Sequence, residues 1–357
     1  MKVVLIMKKT AAVILAFIIA FISAAPAYGE RALNISAERA VLIHKDGEVI
    51  YSKCADEPSL IASTTKLMTG IIVLENCKGN EKLEIKPEYC GIDGSSMYLK
   101  PGEIYTVREL LEGLLLVSGN DAATALAMYT AGSEEKFAEL MNKKAQELKM
   151  ENSHFENPHG LDGKEHYSTA NDLARLMLYC MKNPDFREIT AMGSTKIKEQ
   201  SFINHNKLLK LCKGCKGGKT GYTMAAGRCL VSCCERAGEE YVCVTLSAPD
   251  DWNDHIKLYN YAFSNYETRN LTENLRYSVP LISGERNSVE IKAEEFKLLL
   301  PVDTKLSYNA ELPFFVFTPV KAGERAGTVK IYADGRLLGE KALYYLKSEP
   351  AAAPYKI

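Results

Sequence analysis

No charge of one sign dominates this chain of 357 residues: 44 Lys and Arg stand against 45 Asp and Glu, a formal net charge of −1. There is thus no basic excess to draw it to nucleic acid, and no acidic block to form a disordered tail. Tryptophan occurs once, at Trp252. No internal repeat is visible, which excludes a solenoid or propeller. Past the N-terminus no apolar run approaches the about 20 residues that a membrane-spanning helix needs. Regular cysteine spacing is missing too. The ten cysteines are irregularly placed in a chain too large to need disulfide staples. Cys212 and Cys215 form a Cys-x-x-Cys pair, but a zinc site needs a second pair, and adjacent Cys233 and Cys234 are poorly spaced for one. They are read as structural thiols or an unassigned disulfide, with Cys229, Cys233 and Cys243 buried in strand-like runs. Of the six histidines, His154, His159 and His166 have neither the spacing of a helical zinc pair nor that of a recognisable triad. No metal and no cofactor is expected. Trp252 could serve as a carbohydrate platform, but packing in the core or a loop is the favoured reading.

What is present begins with an export signal. Lys8 and Lys9 precede the apolar stretch Ala11 to Ile22, and small residues follow up to Ala27 and Gly29. That is the order of a secretory signal peptide over residues 1–29, with Met7 an alternative start. An extracytoplasmic protein of the cell envelope, or a secreted one, is expected. The remaining composition, 46% hydrophobic and 25% charged, is that of a globular protein with room for one large and one small domain.

Ala40 to Tyr51 reads as a hairpin around Asp46-Gly47. Lys66 to Glu75 is a mostly buried helix, and Thr106 to Glu109 has capping-box spacing before a leucine-rich one. Helices follow from Asn120, from Ser133 to Lys149 and from Thr169 to Met181. Strands at Arg228–Cys234 and Tyr241–Leu246 flank Ala237-Gly238, and helical residues at Lys257–Phe263 close the first domain. The order predicts an α/β (α+β) domain over 30–268, its antiparallel sheet begun at the N-terminal end and completed after the helices. From about Asn270 only strands are predicted, with Val289 and Ile291, then Val329 and Ile331, alternating with polar residues. Asp334-Gly335 marks a third hairpin. This β-rich module covers 269–348, with a tail at 349–357.

Three motifs occur in a set order: Ser63-Thr64-Thr65-Lys66, Ser118-Gly119-Asn120 and Lys219-Thr220-Gly221. The combination is found in β-lactamases and penicillin-binding proteins. Two decoys fail on physical grounds. Lys136, three residues after Ser133, lies among glutamates that keep it charged, and Ser133 reads as a helix cap. Ser307-Tyr308-Asn309 falls in the β module. Ser63, by contrast, has Lys66 three residues on in a helix, on the same face. Lysine is a base near pH 7 only when desolvated or beside another cation, and Lys66 leads into an apolar helix. Ser118 offers a hydroxyl to relay a proton to a leaving amine. Asn120 can hold either a substrate carbonyl or Lys66. Lys219 and Thr220 suit a substrate with a free carboxylate, and small Gly221 lets a substrate backbone lie alongside. The backbone N–H groups of Ser63 and Tyr222 are the natural oxyanion donors.

With these motifs the chain resembles the D,D-carboxypeptidases of the low-molecular-mass penicillin-binding proteins, peptidase family S11. The likeness runs from about Ala32 to Phe263. It includes Gly94-Ser-Ser-Met-Tyr-Leu-Lys-Pro-Gly102, Leu114-Leu-Leu-Val-Ser-Gly-Asn-Asp-Ala-Ala123, Asn157-Pro-His-Gly-Leu161 and Lys219-Thr-Gly-Tyr-Thr223 with Ala226-Gly227. The β module resembles the family's C-terminal domain. The resemblance implies a β-lactamase/transpeptidase-like fold. It also implies that Ser63 is acylated by the penultimate D-Ala of a peptidoglycan stem pentapeptide ending in D-Ala-D-Ala, with water then freeing the enzyme. β-Lactams would mimic the substrate as inhibitors.

Family members often end in an amphipathic membrane-anchoring helix. None is visible here, which leaves peripheral membrane association open. Some relatives carry an arginine in the loop after the penultimate strand of the sheet. Here that stretch reads Asp250-Asp-Trp-Asn-Asp254, so carboxylate recognition is expected to rest on Lys219 and Thr220. The alternatives are a β-lactamase, which class A enzymes mark with a Glu-x-x-x-Asn loop not found between Asn120 and Lys219, and a non-catalytic penicillin-binding or wall-binding protein.

Overall fold

The computed structural model describes residues 33–351. The expected signal peptide and residues 352–357 of the expected tail lie outside them.

Strands β1 (Arg39–His44) and β2 (Val49–Lys53) form the predicted hairpin, turning at Gly47 with φ 89°. Seven α-helices intervene before the sheet resumes, the first six being α1 (Lys66–Asn76), α2 (Val107–Leu116), α3 (Asn120–Ala131), α4 (Glu134–Glu147), α5 (Ala170–Cys180) and α6 (Pro184–Ala191). Caps fix several starts. Thr106 and Glu109 make the reciprocal capping box of α2, and the Ser133, Thr169 and Asn183 side chains cap α4, α5 and α6. Ser133 is therefore occupied as a cap, as its acidic surroundings suggest. Two short antiparallel pairs lie within this stretch, β3 (Lys82–Glu84) with β4 (Ile104–Thr106), and β5 (Ser194–Ile197) with β6 (Gln200–Ile203).

After the one-turn helix α7 (Leu208–Leu211) come β7 (Cys215–Thr223), β8 (Gly227–Arg236) and β9 (Glu239–Leu246), then α8 (Asp251–Asn265). The sheet has the order β2-β1-β9-β8-β7, antiparallel throughout. Both of its faces are covered. Val231 and Cys233 enter the large helical core with Leu67, Ile71, Leu111 and Leu173, while Ser232 between them bonds His255 and Tyr259 of α8. That double covering explains why β8 and β9 read as nearly unbroken apolar runs.

All elements after α8 in the described residues are strands: β10 (Tyr266–Asn270), β11 (Arg276–Ile282), β12 (Ser288–Ala293), β13 (Lys297–Pro301), β14 (Leu306–Glu311), β15 (Val316–Phe317), β16 (Arg325–Ala333) and β17 (Arg336–Tyr345). β10 pairs with β13, and the others form a six-stranded sheet ordered β14-β16-β17-β12-β11-β15. Val289, Ile291, Val329, Ile331 and Leu343 build a second core there, the inward half of the predicted alternation. The fold is thus the expected α+β domain followed by a β-rich module. Among the described residues no helix is long and apolar enough to cross a membrane.

Candidate active site

Ser63 stands in a turn of 3-10 helix, Ala62–Thr65, that runs directly into α1. At three residues per turn, positions i and i+3 eclipse, so Ser63 and Lys66 lie one above the other. Lys66 Nζ is 2.9 Å from Ser63 Oγ, and it donates to Asn120 Oδ1 at 2.6 Å and to the His159 carbonyl at 2.6 Å. With those two N–H bonds made, a neutral amine still has a lone pair to accept the serine O–H. Lys66 is fully buried, and burial, aided by the nearby Lys219 charge, holds it well below the ordinary lysine value of 10.5, against a smaller upward pull from Asp121. Such an environment favours the neutral amine.

The turn is strained where it matters. Ala62 has φ 46° and Ser118 φ 64°, left-handed backbone in residues that carry a Cβ. Such strain persists only where surrounding structure enforces it, and it clusters at functional sites. The Ala62 carbonyl is packed against Gly160, where an added Cβ would come within 2.1 Å of it. Ser118 is 3% exposed, and its Oγ is buried without a hydrogen-bond partner while the residue lines the cavity. An orphaned hydroxyl beside a cavity is a group waiting for a ligand atom.

Asn120 faces Lys66. Its Oδ1 holds Lys66, its Nδ2 donates to the Asp93 carbonyl, and it is absent from the cavity lining. Gly94 makes room for that amide: its φ is +94°, and a Cβ there would sit 2.8 Å from Asn120 Nδ2. Next to it, Asp121 accepts from Ser96 Oγ and from the N–H groups of Met97 and Leu99, fixing the 94–99 loop beside the cavity.

On the far side runs β7. Gly221 is pressed against the serine turn, where an added Cβ would meet Ile61 O and Ser63 N at 3.0 Å. Thr220, Gly221 and Tyr222 line the cavity, which measures about 1020 Å³ and also takes in Ser63 and Ser118. Lys219 is buried behind them with Nζ 2.7 Å from the Thr220 carbonyl, and its desolvation pulls it down to about 7. Ser63, Lys66, Ser118, Asn120, Lys219, Thr220, Gly221 and Tyr222 are therefore brought around one cavity, some on its surface and some just behind it.

Three further contributors, the His159 carbonyl, Arg228 and Asp251, were not legible in the sequence. The His159 carbonyl binds Lys66; the signal was the Asn157-Pro-His-Gly-Leu161 stretch, but a side-chain reading does not find a backbone oxygen. Arg228, Asp251 and Trp252 line the same cavity. The Arg228 guanidinium forks onto Asp251 at 2.7–3.1 Å and lies 5.4 Å from the centre of the Trp252 ring. An arginine thus reaches the 250–254 segment from β8, and Trp252 is a wall of the cavity rather than core packing. His159 and His166 are held neutral by burial, at about 3 and about 4, and His166 Nε2 lies 2.8 Å from Thr65 Oγ1. Among the described residues no three His, Cys, Asp or Glu are grouped to hold a metal.

Residues 25–250 match the family described as D-alanyl-D-alanine carboxypeptidase. The chain is 31% identical over 324 residues to D-alanyl-D-alanine carboxypeptidase DacF of Bacillus subtilis, covering 85% of this chain and 83% of that one. It is 32% identical over 337 residues to D-alanyl-D-alanine carboxypeptidase DacC of Escherichia coli, covering 85% and 82%. Penicillin binding protein 5 from Haemophilus influenzae superposes with a TM-score of 0.70 at 26% identity, over 89% of this chain and 98% of that one.

Proposed function

The chain belongs to the D-alanyl-D-alanine carboxypeptidase family, and from that premise we propose that Ser63 is the residue acylated during turnover. The activity is that of a serine-type carboxypeptidase, which removes the terminal D-Ala of peptidoglycan stem peptides and binds β-lactams. Neutral Lys66 accepts the Ser63 proton as Oγ attacks the penultimate D-Ala carbonyl. The N–H groups of Ser63 and Tyr222 receive the oxyanion. Ser118 passes a proton to the leaving amine, and water then hydrolyses the ester with Lys66 as base again. Asn120 keeps Lys66 aimed. Thr220 and Gly221 hold the C-terminal residue, Lys219 supports them from behind through the Thr220 carbonyl, and Arg228 adds a cation at the same wall.

The observation that carries the reading is the 2.9 Å contact between buried Lys66 Nζ and half-buried Ser63 Oγ. An intact nucleophile–base pair argues for turnover rather than a dead binding site. The test is incubation with a stem pentapeptide ending in D-Ala-D-Ala, assayed for free D-Ala with and without penicillin. Penicillin should add its mass to a peptide containing Ser63, and Ser63→Ala should abolish both labelling and D-Ala release. Labelling that maps to Ser133 would overturn the assignment.

Export belongs to the same proposal. Residues 1–29 direct secretion, and the mature enzyme works outside the cytoplasm, with peripheral membrane association the finer alternative. We place the division between peptidase domain and β module near residue 268. Amino-terminal sequencing of the exported protein, with a start at Glu30, checks the first of these.

A further inference from the structure

We infer that Cys212 and Cys234 form a disulfide on exposure to a thiol oxidant, stapling the wall of the catalytic cavity to the central sheet. The two sulfurs lie 3.9 Å apart across 22 residues of sequence. Cys212 directly follows α7, and Cys234 sits in β8.

Alternation along β8 selects the partner. Adjacent residues of a strand face opposite ways, so Cys233 joins the helical core while Cys234 turns to Cys212. Cys215 stands opposite Cys234 in the β7–β8 register, but its sulfur is turned to the Gly217 carbonyl at 3.7 Å and to Asn206 Nδ2 at 4.0 Å. A disulfide bond is about 2.05 Å long, so the 212–234 pair closes with side-chain rotation and a small shift of the loop.

The surroundings assign roles. Arg236 Nη2 is 3.5 Å from Cys212 Sγ. The contact with Cys234, with help from Arg236, draws the Cys212 thiol below its ordinary value, while the same contact pushes Cys234 up. Cys212 is therefore the attacking thiolate. It attacks one sulfur of a low-molecular-mass disulfide, forming a mixed disulfide and expelling one thiolate. Cys234 then gives up its proton and attacks Cys212 Sγ, expelling the second. Two protein thiols are oxidised, and one external disulfide is reduced to two thiols. Cys212 is only 4% exposed, so the first attack occurs while the single-turn helix is open. Lys207, Leu209 and Lys210 of this segment line the cavity, and the bond ties them to the strand that carries Arg228.

The full-length protein, reduced and then treated with oxidised glutathione, should lose two titratable thiols and yield a non-reduced peptide pair joining Cys212 to Cys234. Cys234→Ser should instead retain one glutathione, on Cys212. The oxidised protein should keep penicillin labelling of Ser63 to a temperature several degrees above that of the reduced protein. Unchanged thiol content, a bond mapped to any other pair, or glutathione trapped elsewhere than Cys212 in the variant would overturn the inference. Equal thermal loss of labelling in the two states would remove the stapling role.

Discussion

Two buried lysines with different duties dominate the site at the scale of single residues. In the proposed mechanism Lys66 acts as a neutral amine, the form that burial favours. Acylation by penicillin should therefore decline as pH falls through its lowered pKa, and Lys66→Arg, which keeps a charge it cannot give up, should acylate at least about 100-fold more slowly. A stopped-flow pH profile of the two proteins checks this. Lys219 carries a stability cost of its own. The unfolded chain keeps the proton up to the ordinary value of 10.5, while the folded one surrenders it near about 7. Between those values the unfolded state binds more protons, so stability rises with pH, and below about 7 the full penalty applies. Lys219→Met should be the more stable protein in urea at pH 6 and nearly inactive, with its advantage shrinking toward pH 10. Arg228 gives a third expectation. If its guanidinium meets the substrate carboxylate, Arg228→Gln should lower kcat/KM more for a free-acid peptide than for the same peptide amidated at its C-terminus. Equal losses on both would confine Arg228 to holding Asp251. The spacing of Ser63 and Lys66, and the order of the motifs, could be read from the chain alone. The role of Arg228 could not, because only the folding of β8 over α8 brings residues 228 and 251 together.

At the scale of elements, the site is made by a close approach of β7 to the serine turn. Gly221 is the point of contact, and its would-be Cβ meets backbone atoms of residues 61 to 64 at 3.0–3.1 Å. Gly221→Ala should push the strand out by a few tenths of an ångström. That displacement should lower acylation by roughly 10- to 100-fold, with little loss of thermal stability, since misplacement costs rate more than folding energy. Penicillin labelling rates beside a melting curve separate the two effects. The hairpins at Asp46-Gly47, Ala237-Gly238 and Asp334-Gly335 and the helices α1 to α5 were legible because their turn residues, caps and apolar spacing agree, whereas α6, α7, the β5–β6 pair and β7 were not. The start of α8 was not: the pattern suggests Lys257, and the helix begins at Asp251. Its first turn turns inward with polar groups. Asp251 binds Arg228, Asp254 accepts from Ser36 and Ala37, and His255 meets Ser232 and Thr245. A period counted on apolar residues does not register a buried face built of carboxylates and imidazole.

For the whole molecule, the decisive feature is that one apolar core lies on the helical side of the first sheet and another in the β-rich module. One gathers residues from Val41 to Leu246, the other from Leu271 to Tyr345. Contacts at the junction include polar ones, in which Glu239 accepts from the backbone and hydroxyl of Thr268 while it binds His44 and Val302 N–H donates to the Asn265 carbonyl, and an edge-on pairing of the Tyr261 and Tyr266 rings. Hydrogen bonds of this kind contribute about 1 kcal/mol each. That is little beside the energy of either apolar core, so the two parts should unfold separately. A covalent penicilloyl group on Ser63 touches only the first. Calorimetry should accordingly show two transitions, one of which rises by at least about 3 °C on acylation while the other stays in place. Ser63→Ala treated in the same way should show neither transition moved, which distinguishes acylation from loose binding of the drug. A single transition that moves as a whole would mean that the junction couples the β module to the catalytic core, and that the module braces the site instead of merely following it.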